Sequence, residues 1–336
     1  MKWYHLTDPA LSLEGLALSD REGRRYWRLP ADVIDQVNSG VSEVAKFPSG
    51  ARVRFATDSR RIALCAVVGP AGYIKNVGAI GKCGLAGYVD GEWHYVVYPT
   101  ASDAEEMTGA YDLDGKMHEH TVYLPLFTPL YDLMIGLDDG AQVKPPRPYA
   151  VQKPLVFYGS SITNGASATH AGNAYVSIVC RRLDASFLNL GFSGSARGEE
   201  SIARYIAGLD MSLFVMDYDH NAPDAAHLEA THERFFRIVR EAQPDLPIIM
   251  VSKPDFDTNP GSTVEVNARR REIIRRTYQN ALARGDRRVW FVDGETFFGD
   301  RERFDCAVDG CHPTDLGFRR MADVLEPVLR EALGLK

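Results

Sequence analysis

Ser161 and His312 are residues whose types and settings could make a nucleophile and its base. Ser161 lies in Tyr158-Gly159-Ser160-Ser161-Ile162-Thr163-Asn164-Gly165, between the apolar run Leu155-Val156-Phe157 and a helical stretch from Asn173 to Leu183. The apolar run reads as a buried strand. A serine where strand gives way to helix stands above a sheet edge, near the positive end of a helix dipole. Negative charge formed beside it is stabilised there. Far along the chain comes Asp309-Gly310-Cys311-His312-Pro313, just ahead of the last helical stretch. A carboxylate three residues before a histidine can turn back and accept from the imidazole Nδ1. That fixes the tautomer whose Nε2 takes a proton from a serine hydroxyl, which is the chemistry of acyl transfer to water. The same Asp-x-x-His also fits an ordinary helix start with capping groups, so its meaning depends on the elements around it.

Those elements change character along the chain. Up to residue 145 the pattern is short and alternating. Strand readings are Arg52–Ala56, Ile62–Val68, Gly87–Val89, Trp93–Tyr98, His120–Leu124 and Leu133–Leu137, with a hairpin signal at Asp90-Gly91. This predicts an antiparallel β-sandwich over 1–145. Lys144-Pro145-Pro146-Arg147-Pro148 marks a stiff connection, with the linker over 146–153. From 154 to 336 strands and helices alternate. The strands are Leu155–Tyr158, Phe187–Leu190, Leu213–Met216, Ile248–Val251 and Val289–Val292. The helices are Asn173–Leu183, Glu200–Ala207, Ala226–Ala242, Val266–Ala283 and Leu316–Leu333. In the fourth, Ile273, Ile274, Thr277, Tyr278, Ala281 and Leu282 share a face. The fold class is α/β, with a five-stranded parallel sheet covered on both faces. Ligands of such sheets bind at the carboxyl ends of the strands, and Ser161 lies just past the first of those ends.

The second half resembles the SGNH/GDSL hydrolases in four blocks. Gly159-Ser160-Ser161 matches the nucleophile block, and Asp309 with His312 matches the final one. Asn189-Leu190-Gly191-Phe192-Ser193-Gly194 resembles the second block, and Asp217-Tyr218-Asp219-His220-Asn221 follows the third strand. The resemblance implies a three-layer αβα domain with Ser161 as nucleophile, His312 as base and Asp309 as its orienting carboxylate. It also implies an oxyanion hole from the N–H groups of Ser161 and Gly194 and the Asn221 amide. Two departures stand out: Ser160 replaces the family's usual aspartate, and the third block lacks the usual Gly-x-Asn-Asp form. Asp219 and His220 are therefore further substrate-lining candidates, as is Arg197 after the second block; a salt-bridged structural role fits Arg197 equally well. A Gly-x-Ser-x-Gly elbow is absent, against an α/β-hydrolase fold. A β-sandwich, jelly-roll-like, fused to this hydrolase also resembles certain carbohydrate esterases, which implies an acetylated oligosaccharide or similar small-molecule ester as substrate. A lipid or thioester acylhydrolase is the second enzyme reading, and a non-catalytic carbohydrate-binding protein the reading of another class.

Composition bounds the rest. A formal net charge of -7 argues against nucleic acid or an anionic membrane as partner. The five scattered cysteines fit reduced thiols, and the N-terminus lacks the pattern of a secretory signal, so a cytoplasmic location is expected. Cys306, Cys311 and His312 lack a second Cys/His pair at a zinc-like spacing, so neither metal nor cofactor is expected. A homo-oligomer stays open. Gly78 to Gly84 lacks the Walker spacing and reads as a sandwich turn. His227 and His232 read as surface helix residues, and Arg269-Arg270-Arg271 with Arg275-Arg276 as a solvated face. Tyr73, Tyr88, Trp93, Tyr95, Tyr98 and Tyr111 offer either a sugar-stacking surface or hairpin packing.

Overall fold

Gly159 pairs in register with Gly191 on one side and with Asp217 on the other, so three parallel strands end at one level. They belong to a five-stranded sheet built from Val151–Gly159, Ala185–Gly191, Leu213–Asp217, Ile248–Val251 and Val289–Val292. In space the order is second, first, third, fourth, fifth. The chain reverses direction across the sheet beside the first strand, the switch point where α/β sheets open a crevice. The strand centres are apolar and buried on both faces (Leu155 to Tyr158, Leu213 to Met216, Ile248 to Val251), as a covered parallel sheet requires. Tyr175–Arg182 packs with Asp315–Leu333, while Glu200–Ala207, Ala225–Ala242 and Val264–Ala283 pack in a row. The structure is a computed structural model and describes residues 1–70, 74–100 and 105–336.

The first half forms two antiparallel sheets around one core. One runs Lys2–His5, Leu130–Leu137, Arg61–Val68, Glu106–Asp112 in spatial order. The other contains Arg52–Thr57, His118–Tyr123, Leu85–Val89 and Glu92–Val97. In Arg61–Val68 every second residue is buried, the period-2 signature of a strand with one face inward. Val53, Phe55, Leu64, Leu85, Val122 and Ile135 meet in the shared core. The Asp90-Gly91 hairpin forms as predicted, with φ of 50° and 85°, both in the left-handed region that such a turn demands. The segment at Gly78 to Gly84 holds a short helix, Ala79–Cys83, where a plain turn was expected.

Two compact units result. One holds Met1–Pro30, Ala45–Tyr149 and Thr169–Gly172, and the other Ala31–Val44, Ala150–Ala168 and Asn173–Lys336. The short helices Ala31–Ile34 and Ser39–Val44 thus belong with the parallel-sheet unit. In the first unit Tyr95 and Tyr111 stack at 3.6 Å and Tyr88 packs edge-on against Tyr123, which makes these rings packing groups. Trp93 and Tyr98 are exposed, Trp93 stacking on His170 within the same unit. Tyr73 lies outside the described residues.

Candidate active site

Ser161 opens a single helical turn, Ser161–Asn164. One turn has too few aligned peptides for a sizeable dipole, so the local N–H groups matter more here than the helix. Ser160 caps that turn, its Oγ accepting from the Ile162 N–H at 3.1 Å. This is a task an aspartate would serve at the same position. Gly165 closes the turn at φ 105°, a conformation that favours glycine. The turn presses against the second strand: a Cβ on Gly191 would sit 2.2 Å from the Asn164 backbone nitrogen. Asn189 fastens the same junction, donating to the Thr163 carbonyl at 2.8 Å and accepting from the Gly191 N–H at 2.8 Å.

The Asp309 loop is shaped by its own carboxylate. Oδ1 accepts from the backbone N–H of Cys311 at 3.0 Å and of His312 at 2.8 Å, while Oδ2 accepts from His312 Nδ1 at 2.8 Å. The helix that follows is capped by Thr314, so the capping reading of Asp309 and His312 falls away. His312 Nε2 lies 3.0 Å from Ser161 Oγ. Burial disfavours a charged His312, but contacts with Cys311 and Asp309 outweigh it and raise its pKa above the usual value. Burial raises the Asp309 pKa and the bonds from His312 and Cys311 lower it, with a net decrease. The structure brings Ser161, His312 and Asp309 into one hydrogen-bonded chain that can move a proton off the serine.

Gly194 and Asn221 follow the second and third strands, whose ends are level with that of the first. Gly194 has φ 72° in an exposed turn, and Ser195 and Ala196 bond back to the Phe192 carbonyl at 2.8 and 3.1 Å. Glu199 steadies this loop, accepting from Tyr158 OH at 2.9 Å and from Asn38 Nδ2. Asn38 also donates to the Ser195 carbonyl at 3.1 Å. The Asn221 Oδ1 is buried without a hydrogen-bond partner among the described residues. An unpaired buried polar group of this kind marks either strain or a ligand position.

The remaining candidates divide. Asp219 is buried and fully engaged: Oδ1 accepts from Arg270 Nε at 2.8 Å and Oδ2 from the Lys253 N–H at 3.1 Å. Its carboxylate braces the loop, which displaces the substrate-lining reading. Arg270, expected on a solvated face, is buried and also grips the Asp219 and Ala222 carbonyls, the latter at 3.0 Å. Its place in the stripe Arg270, Ile274, Thr277, Ala281 was the available signal. His232 is likewise buried, bonded to Thr277 Oγ1 at 2.9 Å, with its pKa lowered to about 3 by burial. The Arg197 side chain is exposed, while its carbonyl accepts from His227 Nε2 at 2.7 Å. His220 meets Asp255 at 2.7 Å, a partner that the sequence did not single out. His220, Lys253, Asn259, Ser262, Arg269 and Arg270 line part of a cavity of about 570 Å³.

Residues 152–330 match the GDSL-like lipase/acylhydrolase family, and residues 1–143 match the GxDLY family, the N-terminus of SGNH-hydrolase-type esterases. No curated protein matches the chain. Among solved structures, a protein from Bacteroides ovatus described as a GDSL-like lipase is 26% identical with a TM-score of 0.88, over 100% of this chain and 98% of that one. The salicylyl-acyltransferase SsfX3 of a tetracycline biosynthetic pathway is 22% identical with a TM-score of 0.82, covering 100% of this chain and 99% of that one. An acetyl xylan esterase, Est2A, from the rumen bacterium Butyrivibrio proteoclasticus shares the fold at 14% identity with a TM-score of 0.63, over 99% and 100% of the two chains. With its catalytic half matched along almost its whole length, this chain belongs to the GDSL-like lipase/acylhydrolase family and is an SGNH-type esterase.

Proposed function

We propose that this esterase removes small acyl groups, acetyl first among them, from carbohydrates through Ser161, His312 and Asp309. The observation that carries the reading is the bonded chain Ser161 Oγ, His312 Nε2, His312 Nδ1, Asp309 Oδ2, with links of 3.0 and 2.8 Å. His312 takes the Ser161 proton as Oγ attacks the ester carbonyl, and Asp309 stabilises the imidazolium. The tetrahedral oxyanion is received by the N–H groups of Ser161 and Gly194 and by the Asn221 amide. As the intermediate collapses, His312 returns its proton to the departing sugar oxygen, and water then clears the acyl group by the same route.

The carbohydrate part of the reading is supported by the acetyl xylan esterase that shares the fold. A cytoplasmic location is also proposed, supported by the five free cysteines. A panel of acetylated xylo-, manno- and chito-oligosaccharides, with Ser161→Ala as control, tests it. Acetate release by the wild type alone is expected. Faster cleavage of long-chain nitrophenyl esters than of any acetylated sugar would overturn the carbohydrate assignment in favour of a lipid acylhydrolase. A protein that hydrolyses no activated ester and takes no phosphonate on Ser161 would leave only carbohydrate binding.

A further inference from the structure

Cys311 precedes the base His312 in the chain, and its sulfur faces a second imidazole. Sγ lies 3.6 Å from His220 Nε2, and that nitrogen is 2.7 Å from Asp255 Oδ1. Three loops supply this group: His220 follows the third parallel strand, Asp255 the fourth, and Cys311 sits in the Asp309 loop. Asp255 is fully buried and further held by Asn259 Nδ2 at 2.6 Å, with Lys253 Nζ 3.7 Å away. The mechanism above uses none of these contacts.

We propose that Cys311 is a modification site: paired with His220, its sulfur captures soft electrophiles and peroxide, and the adduct closes the neighbouring Ser161–His312 site. The closure rests on the hydrolytic reading; the sulfur chemistry does not. Burial pushes the Cys311 thiol up, but the His220 imidazolium and bonds from His220 and His312 outweigh it and bring its pKa to about 7. His220 is held charged in turn: burial opposes the charge, while Asp255 and Cys311 together raise its pKa well above the usual value. The other cysteines are set differently. Cys180 and Cys306 are buried, burial raises the Cys306 and Cys65 thiols, and Cys83 shares a 3.1 Å contact with the Thr128 hydroxyl. Cys311 is partly exposed.

With hydrogen peroxide, the thiolate attacks one oxygen. An S–O bond forms as the O–O bond breaks; sulfur gives up two electrons and the peroxide accepts them. The departing hydroxide takes the His220 proton and leaves as water, and Cys311 becomes a sulfenic acid. With iodoacetamide an S–C bond forms and iodide leaves. Either adduct crowds the imidazole on which Ser161 depends.

At neutral pH about half of such a thiol is ionised, against about three per cent of an ordinary one. The lower basicity slows each thiolate, leaving a net advantage of about three- to fourfold. The test treats the whole purified protein with limiting iodoacetamide at neutral pH and locates the label by mass spectrometry. Acetyl-ester hydrolysis and fluorophosphonate uptake by Ser161 are followed in parallel. Cys311 should be labelled first, about three- to fourfold faster than an ordinary thiol, with both readouts falling in step. Cys311→Ser should resist inactivation, peroxide should reproduce the loss, and dithiothreitol should reverse the peroxide effect. His220→Asn should slow labelling at neutral pH but not well above pH 9, where the thiol ionises unaided. Labelling that begins at another cysteine, or a Cys311→Ser protein inactivated as fast as the wild type, overturns the proposal. An untreated protein without esterase activity or fluorophosphonate uptake would sink the hydrolytic reading instead, and the label position would still decide the sulfur chemistry.

Discussion

Arg270 Nε donates to Asp219 Oδ1 at 2.8 Å, and both side chains are buried. The pair ties the helix Val264–Ala283 to the loop that carries Asn221, so its effect reaches the candidate oxyanion hole. Replacing Arg270 by Leu leaves a buried carboxylate without its cation and should cost about 3–5 kcal/mol in urea unfolding. Arg270→Leu combined with Asp219→Asn should recover part of that loss. If the single variant unfolds at the wild-type urea concentration, the pair has no structural weight.

Asn221 carries the next expectation. Its amide is the side-chain donor proposed for the oxyanion, so Asn221→Ala should lower kcat by about 10²–10³ while leaving Tm nearly unchanged. Turnover within a few-fold of wild type would remove Asn221 from the oxyanion hole.

The pH profile tests His312. The base must be neutral to accept the serine proton, and its pKa lies above the usual histidine value. Activity should therefore rise with pH through an inflection above 6.5, the ordinary value. Asp309→Asn removes one of the groups that raise it, so the inflection should move to lower pH while kcat falls about 10⁴-fold. An inflection that stays put in the variant would show that Asp309 does not act on the imidazole.

Asp217 gives a prediction about stability. It is buried, with Tyr175 OH and Thr163 Oγ1 donating to it at 2.7 and 2.9 Å. Burial raises its pKa, the two hydroxyls oppose that, and it remains at about 7 against 3.8 for a free aspartate. Between those values the folded protein keeps a proton that the unfolded chain has lost, so stability falls as pH rises through this window. Asp217→Asn should flatten that slope, with up to about 4 kcal/mol of the mildly acidic-to-alkaline difference disappearing in urea titrations. Equal slopes in the two proteins would refute the assignment.

Much of this was legible in the sequence because it is written locally. The strands Ile248–Val251 and Val289–Val292 and the helix Glu200–Ala207 have the bounds that their apolar periods suggested. Ser161 and His312 could be singled out since each lies in a short block at an element boundary. What escaped depends on partners far apart in the chain. Arg270 reads as surface charge until Asp219 appears opposite it, and His232 as a surface histidine until Thr277 does. The Asp255–His220 contact likewise joins two loops with no shared pattern. Lys2–His5 is too short to announce itself, and it is a strand because Leu130–Leu137 offers it an edge.

The two oxygens of Asp309 perform different tasks, one folding the loop through the Cys311 and His312 amides and the other orienting the imidazole. Loop shape and base strength therefore cannot vary independently. A proton that neutralises this carboxylate weakens the base and loosens the backbone beneath it in a single event. Activity is already lost as His312 protonates, and only at far lower pH should the loop itself give way.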